Sequence, residues 1–205
     1  MVRTPESLSN SLRALAEREE AFARVLEAHG HPEPRASEPG VETLLRTIVG
    51  QQVSVQAARS MWNKLAAKFG QPVDLNSLLA ASDEDMRAAG MSRQKAGYLR
   101  SLAGLVLSGE LDLAHLPDDD EEAISELMKI KGIGRWSAEI YLLFAEGRHD
   151  VWPAGDLAVQ IEIGKLMGLD GKPTEKQLRE LAEPWRPHRG AAAVLAWHSY
   201  NAPPL

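Results

Sequence analysis

The sequence contains no cysteine, and no segment of it approaches the run of about 18 apolar residues that a membrane-spanning helix needs. The lack of cysteine excludes disulfides, thiolate nucleophiles, cysteine-ligated zinc and iron–sulfur clusters. The first apolar residues alternate with charged ones, so we expect no signal peptide, no membrane partner and a cytoplasmic location. A chain of 205 residues is long enough to bury a core, as one large domain or two small lobes.

The net charge of −6 argues weakly against a nucleic-acid partner. Only the local field at a binding face matters, however, and the charges are unevenly distributed. Basic residues cluster in three segments, Arg87–Arg100, Lys129–Arg135 and Arg186–Arg189. For each cluster taken alone a solvated helix face is the simpler interpretation. The global charge therefore does not decide the partner.

We find no convincing strand pair, no low-complexity segment and no repeat of fixed period, and the apolar residues recur at helical spacing. The sequence therefore predicts an all-α protein. The proline-rich stretch His29–Gly40 is the best candidate linker. We expect residues 1–40 to form a helical lead with this linker and residues 41–205 to form the core. The N- and C-terminal segments are expected to share one lobe.

Local signals predict where several helices begin and end. The long apolar segment Val41–Phe69 is expected to form two helices that meet near Gly50–Ser54, and Gly70 is expected to end the second. Ser82 with Asp85, and Thr174 with Gln177, have the spacing of capping boxes. Further predicted helix starts are at Ser92 and Asp156.

The segment LMKIKGIGRWSAEI contains a tight, basic corner between two apolar stretches. Gly132 and Gly134 allow positive φ angles and remove two β-carbons, so backbone N–H groups can approach another surface closely. The next helix adds unsatisfied N–H groups and a partial positive charge, which together suit a phosphate diester. Such a corner would fix position on a nucleic-acid backbone without reading its sequence. A bare helix–helix turn explains the same residues.

These motifs together resemble the helix–hairpin–helix DNA glycosylase superfamily, most closely the 3-methyladenine DNA glycosylase II (AlkA-like) branch. The resemblance extends from about Val41 to His198 and includes IVGQQVS, GMSRQKA and WRPHR as well as the glycine corner. It implies two helical lobes with a cleft between them. It also implies a monofunctional DNA repair enzyme that flips alkylated bases, such as 3-methyladenine, out of double-stranded DNA and hydrolyses their N-glycosidic bonds.

The family pattern has an aspartate about twenty residues past the hairpin, and Asp156 occupies that place. The resemblance implies that Asp156 is catalytic, because a carboxylate stabilises the positive charge that builds on the sugar as the bond breaks. A helix N-cap alone is the simpler interpretation. In the bifunctional branch a lysine follows the second hairpin glycine by two residues, whereas this chain has Trp136 there. We therefore predict no strand-nicking lyase activity.

The resemblance assigns Trp136, Trp197 and His198 to the substrate pocket, where aromatic faces would hold a cationic purine. Packing in the core is the simpler role for each tryptophan. The family pattern carries a tyrosine at the position of Ile140 and an aromatic residue at that of His198. The predicted pocket is thus less aromatic, which leaves its substrate selectivity open.

By position, the DNA-binding residues would be Gly132, Gly134, Arg135 and a wedge residue, Gln52, that fills the gap left by the flipped base. An amide pair buried at a helix junction explains Gln51 and Gln52 equally well. No cofactor is expected for catalysis. The resemblance implies a structural Na⁺, K⁺ or Mg²⁺ ion at the hairpin, held by the backbone carbonyls of Met128, Ile130 and Ile133. A monomer is expected.

Two other functions compete with the glycosylase. A non-catalytic helix–hairpin–helix DNA-binding module explains the corner and the basic residues, but it leaves the spacing of Asp156 as a coincidence. A helical protein-interaction domain explains the acidity but not the corner.

Overall fold

A computed structural model describes residues 4–203 of the chain. Over that range the regular structure is helical, as the sequence predicts, and contains no β-strand. The α-helices in chain order are α1 Pro5–Ala16, α2 Glu20–His29, α3 Val41–Gly50, α4 Val55–Phe69, α5 Leu75–Ala80, α6 Asp83–Ala88, α7 Arg93–Leu107, α8 Asp120–Met128, α9 Arg135–Tyr141, α10 Leu157–Leu166, α11 Glu175–Leu181 and α12 Arg189–Tyr200. A π-helical turn, Leu142–Glu146, follows α9, and a short 3₁₀ helix, Glu183–Trp185, precedes α12. None of the helices within residues 4–203 is both long and apolar enough to span a bilayer.

The helix starts follow the capping residues that the sequence indicates. Both predicted capping boxes form, Ser82 with Asp85 at α6 and Thr174 with Gln177 at α11. Ser92 caps α7 by accepting a hydrogen bond from the backbone N–H three residues on. These bonds satisfy N–H groups that a helix start leaves without intrahelical partners. The predicted break between α3 and α4 is confirmed too.

The chain divides into two compact units. The first contains the residues up to Ser37 and those from Leu142 onward, and the second is Glu38–Tyr141. In the first unit α1, α2 and α10 all pack against α12. Trp185 lies in the core of this unit, with edge-on ring contacts to Phe22 at 4.9 Å and Trp152 at 5.6 Å between centroids. The boundary at Ser37 falls within the proline-rich stretch.

The second unit is built around α7. This helix packs against α3, α5 and α6, and α3 also contacts α4 and α9. The fully buried side chains of this unit include Leu44, Leu45, Ile48, Leu65, Leu78, Leu99 and Leu102. The arrangement places three helix–helix turns, those of α3–α4, α6–α7 and α8–α9, around one open groove of about 970 Å³.

Candidate functional site

Asp156 stands at the end of a buried segment and caps α10. Its Oδ1 atom accepts a hydrogen bond from the Val159 backbone N–H at 2.9 Å. The same oxygen accepts a second bond from Nε1–H of Trp197 at 3.0 Å. A helix cap needs only the first of these bonds. The second ties the carboxylate to a side chain that is 41 residues away in sequence, which orients it beyond what capping requires.

Hydrogen bonds also fix the segment that leads into Asp156. The buried amide of Gln160 donates from Nε2 to the Ala154 carbonyl at 2.7 Å. Nε1–H of Trp152 donates to the Leu178 carbonyl at 3.2 Å. Because backbone and side chains on both sides of the aspartate are tied down, the carboxylate has a defined position in the first unit.

The WRPHR run sets the start of α12, the helix that carries Trp197. Arg189 makes a two-pronged ion pair with Asp150, with both N···O distances 2.9 Å. The Gly190 N–H donates to the His149 carbonyl at 2.8 Å. A β-carbon at Gly190 would lie 2.6 Å from that oxygen, so only glycine permits the approach. The run therefore acts as a clamp between α12 and the segment before Asp156.

Trp197 and His198 line an open cavity of about 350 Å³ in the first unit. The ring centroid of Phe144 lies 5.7 Å from that of Trp197. His198 approaches the His29 carbonyl with Nε2 at 3.0 Å, which requires the proton on that nitrogen. The structure thus joins two predicted site residues, Asp156 and Trp197, by a hydrogen bond, and places His198 beside Trp197 in the cavity wall. Asp156 itself does not line this cavity. Trp197 is only partly buried and bonds a carboxylate, so core packing alone does not describe it.

The two hairpin glycines differ in backbone conformation, although both residues allow positive φ angles. Gly132 has φ +84°, whereas Gly134 does not fall in the positive region. A β-carbon at Gly132 would lie 2.1 Å from the ring of Tyr98, but one at Gly134 would meet nothing within 4 Å. Gly132 is therefore required by packing inside the chain. Gly134 leaves open space beside the backbone.

The cations of the corner are mostly paired with carboxylates. Arg135 bonds Glu121 and, at 3.0 Å, the buried Glu139. The hydrogen bond that Arg135 donates to Glu121 is the main cause that raises the pKa of Arg135 above its usual value. Lys129 pairs with Glu126 at 2.7 Å. A direct contact of Arg135 with DNA therefore stays a prediction, since its guanidinium already pairs with two carboxylates.

Gln52, Gln51 and Trp136 line the groove of the second unit. Gln52 is exposed with φ +55°, the only non-glycine residue with positive φ within residues 4–203. Such a conformation costs about 1–3 kcal/mol and is concentrated at functional sites. Trp136 is 49% exposed, which argues against a core role. Gln51 donates from Nε2 to the Gly132 carbonyl at 2.8 Å.

The predicted ion ligands, the carbonyls of Met128, Ile130 and Ile133, lie at the end of α8 and in the turn that follows it. The Ile130 carbonyl accepts a hydrogen bond from the Ile133 N–H at 3.0 Å. A carbonyl oxygen has a second lone pair, so this bond leaves it able to ligate a hard cation. Among residues 4–203 no group of three or more His, Asp or Glu side chains is arranged to hold a metal. The ion remains a prediction.

Sequence reasoning missed three contacts that build these sites. They are the Trp197–Asp156 bond, the Gln51–Gly132 bond and the packing of Tyr98 on Gly132. Each joins residues more than 30 positions apart, so no local periodicity or cap signal indicates it. The segment GMSRQKAGYL, which contains Tyr98, does resemble the glycine corner in its pattern of residues, but this resemblance predicts none of the three contacts.

Comparison with known proteins identifies the family. Residues 45–187 match the model of the HhH-GPD superfamily of base excision DNA repair proteins, where HhH stands for helix–hairpin–helix. The chain belongs to this superfamily, and the resemblance found from the motifs is confirmed.

Individual relatives agree with the family match. DNA-3-methyladenine glycosylase 1 of Schizosaccharomyces pombe is 32% identical over 190 residues, which cover 87% of this chain and 82% of that protein. DNA-3-methyladenine glycosylase 2 of Escherichia coli is 31% identical, but the match covers only 56% of its length. The structure of the S. pombe 3-methyladenine DNA glycosylase with abasic DNA is similar over 94% of this chain and 97% of that one. Its TM-score is 0.78 and its identity 28%.

Proposed function

We propose that this protein is a DNA glycosylase that removes alkylated bases, such as 3-methyladenine and 7-methylguanine, by hydrolysing the N-glycosidic bond. The observation that carries the proposal is the Asp156 carboxylate, which is held through one oxygen by the Val159 N–H and the Trp197 indole N–H. Family membership supports the same reaction class, since the matched model describes base excision DNA repair proteins.

The chemistry follows from where charge develops. As the bond between base and sugar breaks, positive charge builds on the deoxyribose, and a fixed carboxylate nearby stabilises it electrostatically. The carboxylate can also orient or deprotonate the attacking water. N-alkylated purines such as 3-methyladenine leave as neutral bases from a cationic nucleotide. They need no proton from the enzyme, so a single carboxylate suffices.

Trp197 has two roles in this proposal. Its indole N–H orients Asp156, while its ring forms a wall of the cavity that His198 also lines. An indole face attracts a cationic base by about 0.5–2 kcal/mol, depending on its desolvation. Trp136, half-exposed in the second unit, offers a second aromatic face of the same kind.

The DNA partner is proposed to be double-stranded and to contact the second unit at Gly134, Arg135 and the exposed Gln52. The chain is proposed to act as a monomer without a catalytic cofactor, and an ion at the hairpin carbonyls would be structural only. Size-exclusion chromatography with light scattering tests the monomer. Base release that persists after exhaustive treatment with EDTA would agree with a reaction that needs no divalent metal.

The deciding experiment compares the wild type with Asp156→Asn on methylated duplex DNA. The variant keeps an oxygen that can accept the Val159 and Trp197 bonds but loses the charge. We expect free methylpurine from the wild type, a rate lower by roughly 100-fold or more in the variant, and similar duplex binding by both. Tight binding without base release from any of a panel of lesions would instead favour a non-catalytic DNA-binding module.

A second experiment tests the absence of lyase activity. Lyase chemistry needs an amine that forms a Schiff base with the sugar, and Trp136 stands where the bifunctional branch has its lysine. Borohydride added during the reaction should trap no covalent protein–DNA adduct, and the abasic strand should stay intact. A bifunctional glycosylase assayed in parallel supplies the positive control.

A further inference from the structure

The turn between α3 and α4 is connected to the hairpin corner by one side chain. Gln51, the first residue of this turn, donates from Nε2 to the Gly132 carbonyl at 2.8 Å. Gln52 follows immediately, exposed and with φ +55°. The residue with the strained backbone is therefore anchored by its neighbour to the corner that is proposed to hold a phosphate.

One face of helix α7 supports the hairpin corner. Tyr98 packs against Gly132 where a β-carbon would be, and Gln94 donates to the Tyr98 hydroxyl at 2.6 Å. Ser101 accepts a hydrogen bond from the Lys131 backbone N–H at 3.1 Å. Residues 94, 98 and 101 have the spacing of one helix face.

The same helix also reaches the other turn. Lys95 donates from Nζ to the Val49 carbonyl at 2.7 Å, in the last turn of α3. Burial lowers the pKa of Lys95 below its usual value. Helix α7 therefore contacts both the α3–α4 turn and the hairpin corner. The Gln51 side chain adds a hydrogen bond that joins these two turns to each other.

We propose that Gln51 is a positioning residue that couples the hairpin corner to the Gln52 turn. When the corner binds a phosphate, the Gln51 hydrogen bond keeps Gln52 in the conformation from which it can enter the base stack. The inference rests on the proposed function. Without the Gln51 bond the turn keeps its support from Lys95 but loses its direct tie to the corner. Gln52 can then relax out of its strained conformation, and the corner still binds DNA.

The test measures base unstacking and base release separately. Duplex DNA with 2-aminopurine at the target position reports unstacking as a rise in fluorescence, whether or not any bond is cut. We expect Gln51→Leu to bind this duplex within about twofold of the wild type but to give a several-fold smaller rise. Gln56→Leu, the same change at an exposed glutamine of α4, is the matched control and should behave as wild type.

Release of 3-methyladenine is then compared between duplex and single-stranded DNA. A single strand does not need the base to be pushed from a duplex stack. Gln51→Leu should therefore lose about tenfold on the duplex, roughly the effect of one lost hydrogen bond, and little on the single strand. Gln51→Met, an uncharged unbranched side chain of similar length that lacks the donor, should repeat this result if the leucine variant does not fold.

Each outcome is decisive. A fluorescence rise equal to that of the wild type in both Gln51 variants overturns the coupling, as does an equal loss of release on duplex and single-stranded DNA. A wild type that never unstacks the base overturns it too. If the wild type unstacks the base but releases none, the proposed glycosylase activity fails, while the fluorescence comparison still decides the role of Gln51.

Discussion

At the scale of single residues, the bond between Trp197 and Asp156 is the contact that most directly bears on catalysis. Trp197→Phe keeps an aromatic ring but removes the Nε1–H donor that lies 3.0 Å from the carboxylate. A hydrogen bond to a charged group contributes about 1.5–3 kcal/mol, so the rate of base release should fall about 10- to 100-fold.

Single-turnover release from methylated duplex DNA measures this effect. Duplex binding should stay within about twofold, because the proposed phosphate contacts lie elsewhere in the chain. An unchanged rate for Trp197→Phe would mean that the indole N–H does not orient the reacting carboxylate, and that Trp197 contributes only its ring.

His188 is a second single residue for which the structure predicts an effect, here on how stability depends on pH. Burial, and secondarily the charge of Arg18, lowers its pKa below the usual 6.5, with Asp150 acting in the opposite direction. Above that pH both folded and unfolded chains carry a neutral His188. As the pH falls below about 6.5 the unfolded chain takes up the proton first, so the free energy of unfolding decreases.

Urea unfolding at pH 7.5 and pH 5.5 checks this sign. The wild type should lose more stability between the two pH values than His188→Asn, which has no group to protonate there. The difference between the two pH values is the relevant quantity, because the substitution also disturbs the contact of His188 with Ser11 at 3.2 Å. A larger loss in the variant would contradict the prediction.

At the scale of elements, the hairpin corner offers a matched pair of substitutions. Gly132→Ala forces a side chain into positive φ and drives a β-carbon into the Tyr98 ring, so it should destabilise the fold by about 1–3 kcal/mol. Gly134→Ala meets nothing within 4 Å and should leave stability nearly unchanged.

We expect the affinity for duplex DNA to fall at Gly134→Ala, the variant that leaves stability nearly unchanged, provided that the protein remains folded. If the backbone beside Gly134 approaches a phosphate, its new methyl group should weaken duplex binding about tenfold, since an N–H bond to a charged group contributes about 1.5–3 kcal/mol. Gly134→Ala with wild-type stability and wild-type affinity would exclude that approach. Thermal unfolding and fluorescence anisotropy are the two measurements.

The helices show which features can be predicted from sequence. The starts of α6, α7 and α11 depend on capping residues within three positions of the helix start. The break before α4 depends on the GQQVS turn. Local patterns therefore predicted all four features. Asp156 was found by spacing within a family pattern. Its partner Trp197 is on α12, and that bond depends on how α10 and α12 pack, which no local signal encodes.

At the hairpin corner, too, contacts with residues distant in sequence could not be predicted. Its glycines were predicted to contact DNA, yet the structure shows that Gly132 is required by the packing of Tyr98, a residue of α7 that lies 34 positions earlier. The charge of the hairpin corner also could not be predicted from its own residues. The sequence predicts a basic corner, but Lys129 and Arg135 are balanced by Glu126, Glu121 and Glu139.

At the scale of the whole molecule, the net charge of −6 means that binding to a polyanion must come from a few local cations. At the corner, within residues 4–203, Lys131 is the exposed cation for which the structure shows no ion pair. Each phosphate that a protein neutralises contributes about −0.9 to the slope of log K against log salt on duplex DNA. A chain of this charge should therefore show a shallow slope.

Lys131→Ala should reduce the magnitude of that slope by about 0.9, with weaker binding at low salt and converging affinities at high salt. Lys129→Ala is the control from the same turn, and it should change the slope less because Glu126 already lies 2.7 Å from its ammonium. Anisotropy titrations over a series of salt concentrations give both slopes. Equal slopes for the wild type and Lys131→Ala would show that this lysine neutralises no phosphate.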